Sequence, residues 1–407
     1  MRRGGILFAM LRMAVGHSDD VDLETALEVV FAECDAGLAG ATPKAALLLS
    51  SWDLDHRALI DAVRAHYPDV ELAGSSTAGE MTSVLGFSED SVVLAVFASD
   101  SIDLVAGLGP DLATDPYAAA RQAVAEATVK TRLSPRLCIV LPTIGGVDAS
   151  VILDALRVAL GPGVPIVGGG AAPRDPTQAP DGATSLEFVN GTLTADSLAI
   201  LLLAGPVAFS YGVETGWRGV GPRATVTRSE ALSVFEIDGR PALEFYDRYV
   251  SGDQPPIANP LAVFEDSDSD RFYLRTATAF HRESGSITFF GAIPEGSTVQ
   301  MTVAATDQVF DGVRASIAAA LASFPEGQQP DGALVFSCAT RKFLLGTRAG
   351  REIDLVRDQL GAAVPVSGFY CMGEIAPLAS ADGTRFHNAT FVSVLLGSTE
   401  PDTVVRA

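Results

Sequence analysis

The chain has 407 residues, 48% of them hydrophobic, and a formal net charge of −22 from 28 Lys+Arg against 50 Asp+Glu. At roughly 100–200 residues per domain this is a globular chain of two to four domains. Its acidity repels phosphate backbones and anionic lipid, so neither a nucleic-acid nor a membrane partner is expected.

No apolar run reaches the roughly 20 residues of a membrane helix. The patch from Ile6 to Met10 is soon interrupted by Arg12, so no secretory signal is expected. Cys34, Cys138, Cys338 and Cys371 are scattered without a CxxC, which suits a reducing, cytoplasmic setting and excludes a paired-cysteine zinc ribbon.

Taken in chain order, the predicted elements repeat. The first copy has a strand at 13–15, a helix with Leu23, Leu27, Val30, Phe31 and Cys34 on one stripe, a strand at 45–50, a helix at 55–66, a strand at 70–73 running into Gly74, and a closing strand at 91–98. The second runs through a strand at 102–107, a helix at 115–129, strands at 136–142 and 165–167 around a helix at 148–159, then Gly168 and a strand at 197–204. The third is expected to open at 299–304, with a helix carrying Val309, Phe310, Val313, Ile317 and Leu321, a strand at 333–338, a helix at 350–360, a strand into Gly368 and a last strand at 390–396. Strands alternating with helices of crossover length predict an α/β fold with mixed, buried sheets. The expected divisions are 1–205 (two copies), 206–298 (a β-rich bridging segment) and 299–407 (the third copy).

Two of the glycine turns share Gly-x-x-x-x-Gly-Glu: Gly74 to Glu80, and Gly368 to Glu374. The turn at Gly168 keeps only its glycines. Glutamate stands where a phosphate loop needs lysine, so nucleotide phosphate is not an expected ligand. Around the third turn the sequence offers Ser337, Cys338, Arg341, Gly368, Phe369, Tyr370, Gly373, Glu374, His387 and Asn388 as one candidate site, with Ser76, Thr77 and Glu80 at the matching first turn. Arg341 for a carboxylate, Glu374 for an ammonium and aromatic walls predict a small zwitterion such as an amino acid. The opposing expectation is a structural Arg341–Glu374 pair. A cysteine-nucleophile enzyme would use Cys338 or Cys371 with His387 as base, but no catalytic motif is recognisable and no enzymatic activity is expected.

These motifs, with Asn259-Pro260, Phe336-Ser-Cys-x-x-Arg341, Gly368-Phe-Tyr-x-x-Gly-Glu-Ile-x-Pro377 and Phe386-His-Asn-x-Thr390, resemble the FIST sensory family over nearly the whole length. One departure is Ser75, where the family commonly carries cysteine. The resemblance implies two FIST halves acting as a bacterial sensor of small ligands in intracellular signal transduction. Its output would pass to a partner such as a histidine kinase or cyclase. No cofactor is expected. The alternative the family offers is a haem b nitric oxide sensor of the NosP type, for which His387 is the first axial candidate and His281 or His17 the next.

Overall fold

We describe residues 11–144, 147–172, 185–266, 269–378 and 383–399 of a computed structural model of the chain. The patch Ile6 to Met10 and Pro173, after the second glycine turn, lie outside the described residues.

The α/β expectation holds, and the repeat is deeper than its sequence pattern. Three six-stranded mixed sheets share one construction. In the first, Arg12–Ser18 pairs with Val92–Ala98, which pairs with Ala45–Ser51, which runs parallel to Glu71–Thr77. The second sheet has the same order in Asp103–Pro110, Ser197–Ala204, Pro135–Pro142 and Ile166–Gly169. The third repeats it in Val207–Glu214, Phe391–Ser398, Gly332–Cys338 and Val366–Cys371.

The last two positions of every sheet are filled by a hairpin from another unit. Glu80–Thr82 with Gly86–Ser88, from the first unit, adds to Val366–Cys371 of the third. Glu187–Val189 with Thr192–Thr194, from the second, adds to Glu71–Thr77 of the first. Glu374–Pro377 with Thr384–His387, from the third, adds to Ile166–Gly169 of the second. The exchange is cyclic, and it covers a sheet edge that would otherwise stand open in each unit.

The central strands of each sheet are apolar on both faces for a physical reason. Alternate side chains point to opposite sides. On one side Leu47, Leu49, Ile139, Leu201, Phe336 and Val394, from all three sheets, meet in a common core. On the other, each sheet is covered by its own helices: Leu23–Leu38 and His56–His66, Pro116–Thr128 and Ala149–Leu160, or Thr306–Ser323 and Arg351–Leu360.

The structure corrects the start of the third unit. Its first strand is Val207–Glu214, not 299–304, so the β-rich segment lies inside that unit, between its first strand and first helix. Thr298–Val303 belongs to a separate sheet, between Leu261–Phe264 and Arg218–Glu230. The sequence misled because strand Thr298–Val303 leads directly into helix Thr306–Ser323, as a repeat's first strand would.

The glycines are also placed differently from the reading of them as strand-end turns. Gly74, Gly168 and Gly368 sit within strands Glu71–Thr77, Ile166–Gly169 and Val366–Cys371. A Cβ on them would stand 2.1, 2.0 and 2.0 Å from the carbonyl oxygens of Leu48, Val140 and Val335 on the parallel neighbour. They are glycine because backbone approaches backbone there. The turns into the glutamates are made by Gly79 and Gly373, at φ of 124° and 99°.

Candidate functional site

Each exchanged hairpin opens with a glutamate: Glu80, Glu187 and Glu374. All three are fully buried, and each returns its carboxyl to hydroxyls of its own unit. Ser91 Oγ donates to Glu80 at 2.5 Å, and Thr77 Oγ1 donates to its other oxygen. Glu187 accepts from Thr143 (2.7 Å), Ser185 (2.5 Å) and Ser197 (3.1 Å). Glu374 accepts from Thr390 Oγ1 (2.6 Å) and N (3.0 Å), and from Cys371 Sγ (3.3 Å). Burial disfavours the charged form of a carboxyl. It raises Glu80 to about 8 and Glu187 to about 7, against opposing hydrogen bonds, and it raises Glu374 in the same direction.

Glu187 is the site residue the sequence reading missed. The residues after Gly168 interrupt the Gly-x-x-x-x-Gly-Glu spacing, so the glutamate reappears late. The available signal was its position before an apolar pair and an Asn190-Gly191 hairpin turn, with Asn190 at φ 54°.

The first unit extends its carboxylate into a chain. His17 is 2% exposed, with Nε2 at 2.9 Å from Ser91 Oγ and Nδ1 at 2.8 Å from Thr82 Oγ1. Because Ser91 donates to Glu80, we assign the proton to Nε2, and Thr82 donates to Nδ1. Desolvation lowers His17 to about 4, against the nearby Asp19. Ser76, the remaining first-turn candidate, donates to Ala172 O at 2.8 Å and accepts from Leu186 N, tying the first unit to the second.

The third-copy cluster divides. Arg341 does not meet Glu374. Strand Gly332–Cys338 is followed at once by a short helix, Ala339–Leu345, which carries Arg341 to the helix-covered side of the sheet. There, fully buried, its guanidinium donates to Glu352 at 2.9 and 2.7 Å and to the carbonyls of Thr215 and Val309. Ser337 and Tyr370 donate to the second oxygen of Glu352, at 2.8 and 2.7 Å. Arg341, Ser337 and Tyr370 thus surround an internal carboxylate, and both the ligand pair and the Arg341–Glu374 pair are corrected. Phe369 packs edge-on against Phe336 in the common core.

On the other side Cys338, Cys371 and Gly373 stay with Glu374. Both thiols are buried, and desolvation with the Glu374 carboxyl pushes them upward. Asn388 accepts from Thr276 N of the β-rich segment, and His387 Nε2 lies 2.9 Å from Ala376 O. Burial lowers His387 to about 4. His281 is exposed on the β-rich segment, 2.8 Å from Thr288 Oγ1.

A cavity of about 260 Å³ opens beside this cluster, where the β-rich segment meets the third sheet. Its lining includes Glu214, Asp270, Arg271, Tyr273, His387 and Thr390. Phe272 adds a second aromatic wall. Thr390 is the same residue that holds Glu374, so the cavity wall touches a buried carboxyl. Partial burial raises the Glu214 carboxyl above its ordinary value. Among the described residues no group of three or more His, Cys, Asp or Glu could hold a metal ion, and no helix is long and apolar enough to cross a membrane.

Comparison with known proteins agrees with the motifs. The chain is 26% identical over 402 residues to an uncharacterized protein of Mycobacterium tuberculosis, covering 93% of this chain and 97% of that one. It is 25% identical to an uncharacterized Mycobacterium bovis protein over 192 residues, 44% of this chain and 48% of that one. A crystal structure of cyanuric acid hydrolase from A. caulinodans aligns over 96% of this chain and all of its own, at 10% identity and a TM-score of 0.34. The FIST N domain matches residues 44–240 and the FIST C domain residues 242–377, so the chain belongs to the FIST family of sensory domains in signal transduction.

Proposed function

We propose that this chain is a binding protein rather than an enzyme, and that it senses a small amino-acid-like zwitterion in the 260 Å³ cavity between the β-rich segment and the third sheet. The observation that supports this reading is the lining. Arg271 suits a carboxylate, Glu214 and Asp270 suit an ammonium, and Phe272 with Tyr273 forms apolar walls, all beside the neutral His387. The site lies close to the expected one but uses Arg271 and Glu214 in place of Arg341 and Glu374. Occupancy would draw the β-rich segment and the third sheet together, and a partner protein such as a histidine kinase or cyclase would read that change.

Two features weigh against the other readings. Both thiols are held protonated by burial, and His387 Nε2 is committed to a carbonyl, which is a poor arrangement for a cysteine nucleophile. For haem, His17 has both ring nitrogens in hydrogen bonds, and a cavity of about 260 Å³ beside His387 does not accommodate a macrocycle. These two positions weigh against haem, and His281, exposed beside Thr288, is the remaining axial candidate.

A thermal-shift screen of the amino acids tests the reading. At least one should raise the Tm of the wild type, and Glu214→Gln and Arg271→Gln should lose that shift while keeping the unliganded Tm. A screen without any shift, or a shift unchanged in both variants, would sink it.

A further inference from the structure

A second cavity, of about 250 Å³, lies on the other side of Tyr273, between the start of helix Ala149–Leu160, strand Thr384–His387 and the β-rich segment. Three arginines line it, Arg157, Arg275 and Arg385, in a chain whose net charge is −22. Two have carboxylate partners: Arg157 pairs with Asp154, and Arg385 lies 3.1 Å from Glu265. The Nε of Arg385 is nonetheless buried without a hydrogen-bond partner.

Arg275 differs from both. It is 4% exposed and held by carbonyls, with Nε donating to Ala292 O at 3.2 Å and one terminal nitrogen donating to Leu274 O and Phe386 O at 3.1 and 2.9 Å. The ring of Tyr273 lies 4.4 Å from its guanidinium carbon. Among the described residues no carboxylate is within ion-pair distance of it. Buried charges are normally paired, so a desolvated guanidinium at a cavity wall is a place for an anion. The carboxylates of Asp148 and Asp154, also on the lining, oppose a doubly charged anion but tolerate a single charge. Leu153, Phe386 and Tyr273 supply apolar walls.

We propose that this cavity is a second ligand site, distinct from the zwitterion site, and that it takes a small monocarboxylate with an apolar body. Arg275 receives the carboxylate, with Arg385 beside it. Tyr273 forms a wall of both cavities, so the two ligands would meet across one side chain.

Benzoate is the probe, with inorganic phosphate as the doubly charged comparison, in calorimetric titrations of the full chain. Benzoate should bind saturably and more tightly than phosphate. Arg275→Gln should weaken it about tenfold to a hundredfold, the range of a lost charge-assisted hydrogen bond. Because a buried arginine also supports the fold, Ala292→Phe is the second variant. It fills the cavity from a half-buried wall position and should abolish benzoate binding with the circular dichroism spectrum retained. No binding of benzoate to the wild type, equal binding to Ala292→Phe, or tighter binding of phosphate would each overturn the assignment.

Discussion

Glu80, Glu187 and Glu374 show how a residue's environment sets its role. An isolated carboxylate at a turn would be charged at neutral pH, but at zero exposure burial raises each of these carboxyls toward neutrality, against the hydroxyl hydrogen bonds that favour the charged form. The sign of the pH effect follows. With Glu80 raised to about 8 and Glu187 to about 7, the folded chain keeps protons that the unfolded chain has released, so stability falls as pH rises from the ordinary carboxylate range toward 8. His17 and His387, lowered to about 4, act oppositely and add stability as pH rises toward the ordinary histidine value. The two sets oppose each other until the histidines of the unfolded chain have lost their protons. Above that only the carboxyls titrate, so the Tm should drop between about pH 6.5 and 8, each proton contributing ~1.4 kcal/mol per pH unit. Scanning calorimetry across that window checks this, and Glu80→Gln should flatten the decline. A flat wild-type profile there would contradict the raised carboxyls.

Arg341 belongs to the same scale. Truncating one partner of a buried ion pair leaves the other charge uncompensated, at a cost of about 3–5 kcal/mol. Urea unfolding of Arg341→Ala should show that loss through Glu352, whereas Arg341 as a ligand residue would leave unliganded stability untouched. The motif around Arg341 was legible in the sequence but its partner was not. Glu352 lies on a different helix, and only the turn into Ala339–Leu345 brings the two together.

Among the elements, the parallel strand pairs explain the glycine pattern. Gly368→Ala would place a methyl 2.0 Å from Val335 O and 2.4 Å from a methyl carbon of the Val335 side chain. Backbone cannot yield cheaply in the middle of a sheet, so a loss on the order of 3 kcal/mol is expected. Gly361→Ala, with open space around the added carbon but φ of 79°, should cost less, about 1 kcal/mol from backbone strain alone. Comparing the two urea midpoints separates close approach from conformational freedom, and equal losses would refute the packing account. The glycines themselves were visible in the sequence. Their reason was not, because it depends on which carbonyl lies across the sheet.

Across the whole molecule, the cyclic hairpin exchange makes each unit complete another's sheet. No unit can then unfold without opening an edge on a neighbour. Urea unfolding followed by far-ultraviolet circular dichroism and by fluorescence of Trp52 and Trp217, in the first unit and the β-rich segment, should give coincident transitions. Separate transitions would mean that the exchange does not couple the units. A fragment of residues 1–204 alone should be less stable than its length predicts, because its hairpin Glu80–Ser88 has lost the strand Val366–Cys371 on which it pairs.

By itself the sequence determined the α/β class, the threefold repetition, the glutamate in place of a phosphate-loop lysine and the family, because these rest on periodicity, spacing and residue type within short stretches. The tertiary structure decided which strand opens the third unit, that Glu187 completes the set of buried hairpin carboxyls, that Arg341 serves Glu352, and that two cavities share Tyr273 as a wall. Each of these depends on contacts between residues far apart in the chain. Hairpins that leave one unit for another carry no local mark of their destination, since an apolar strand reads the same whichever edge it joins.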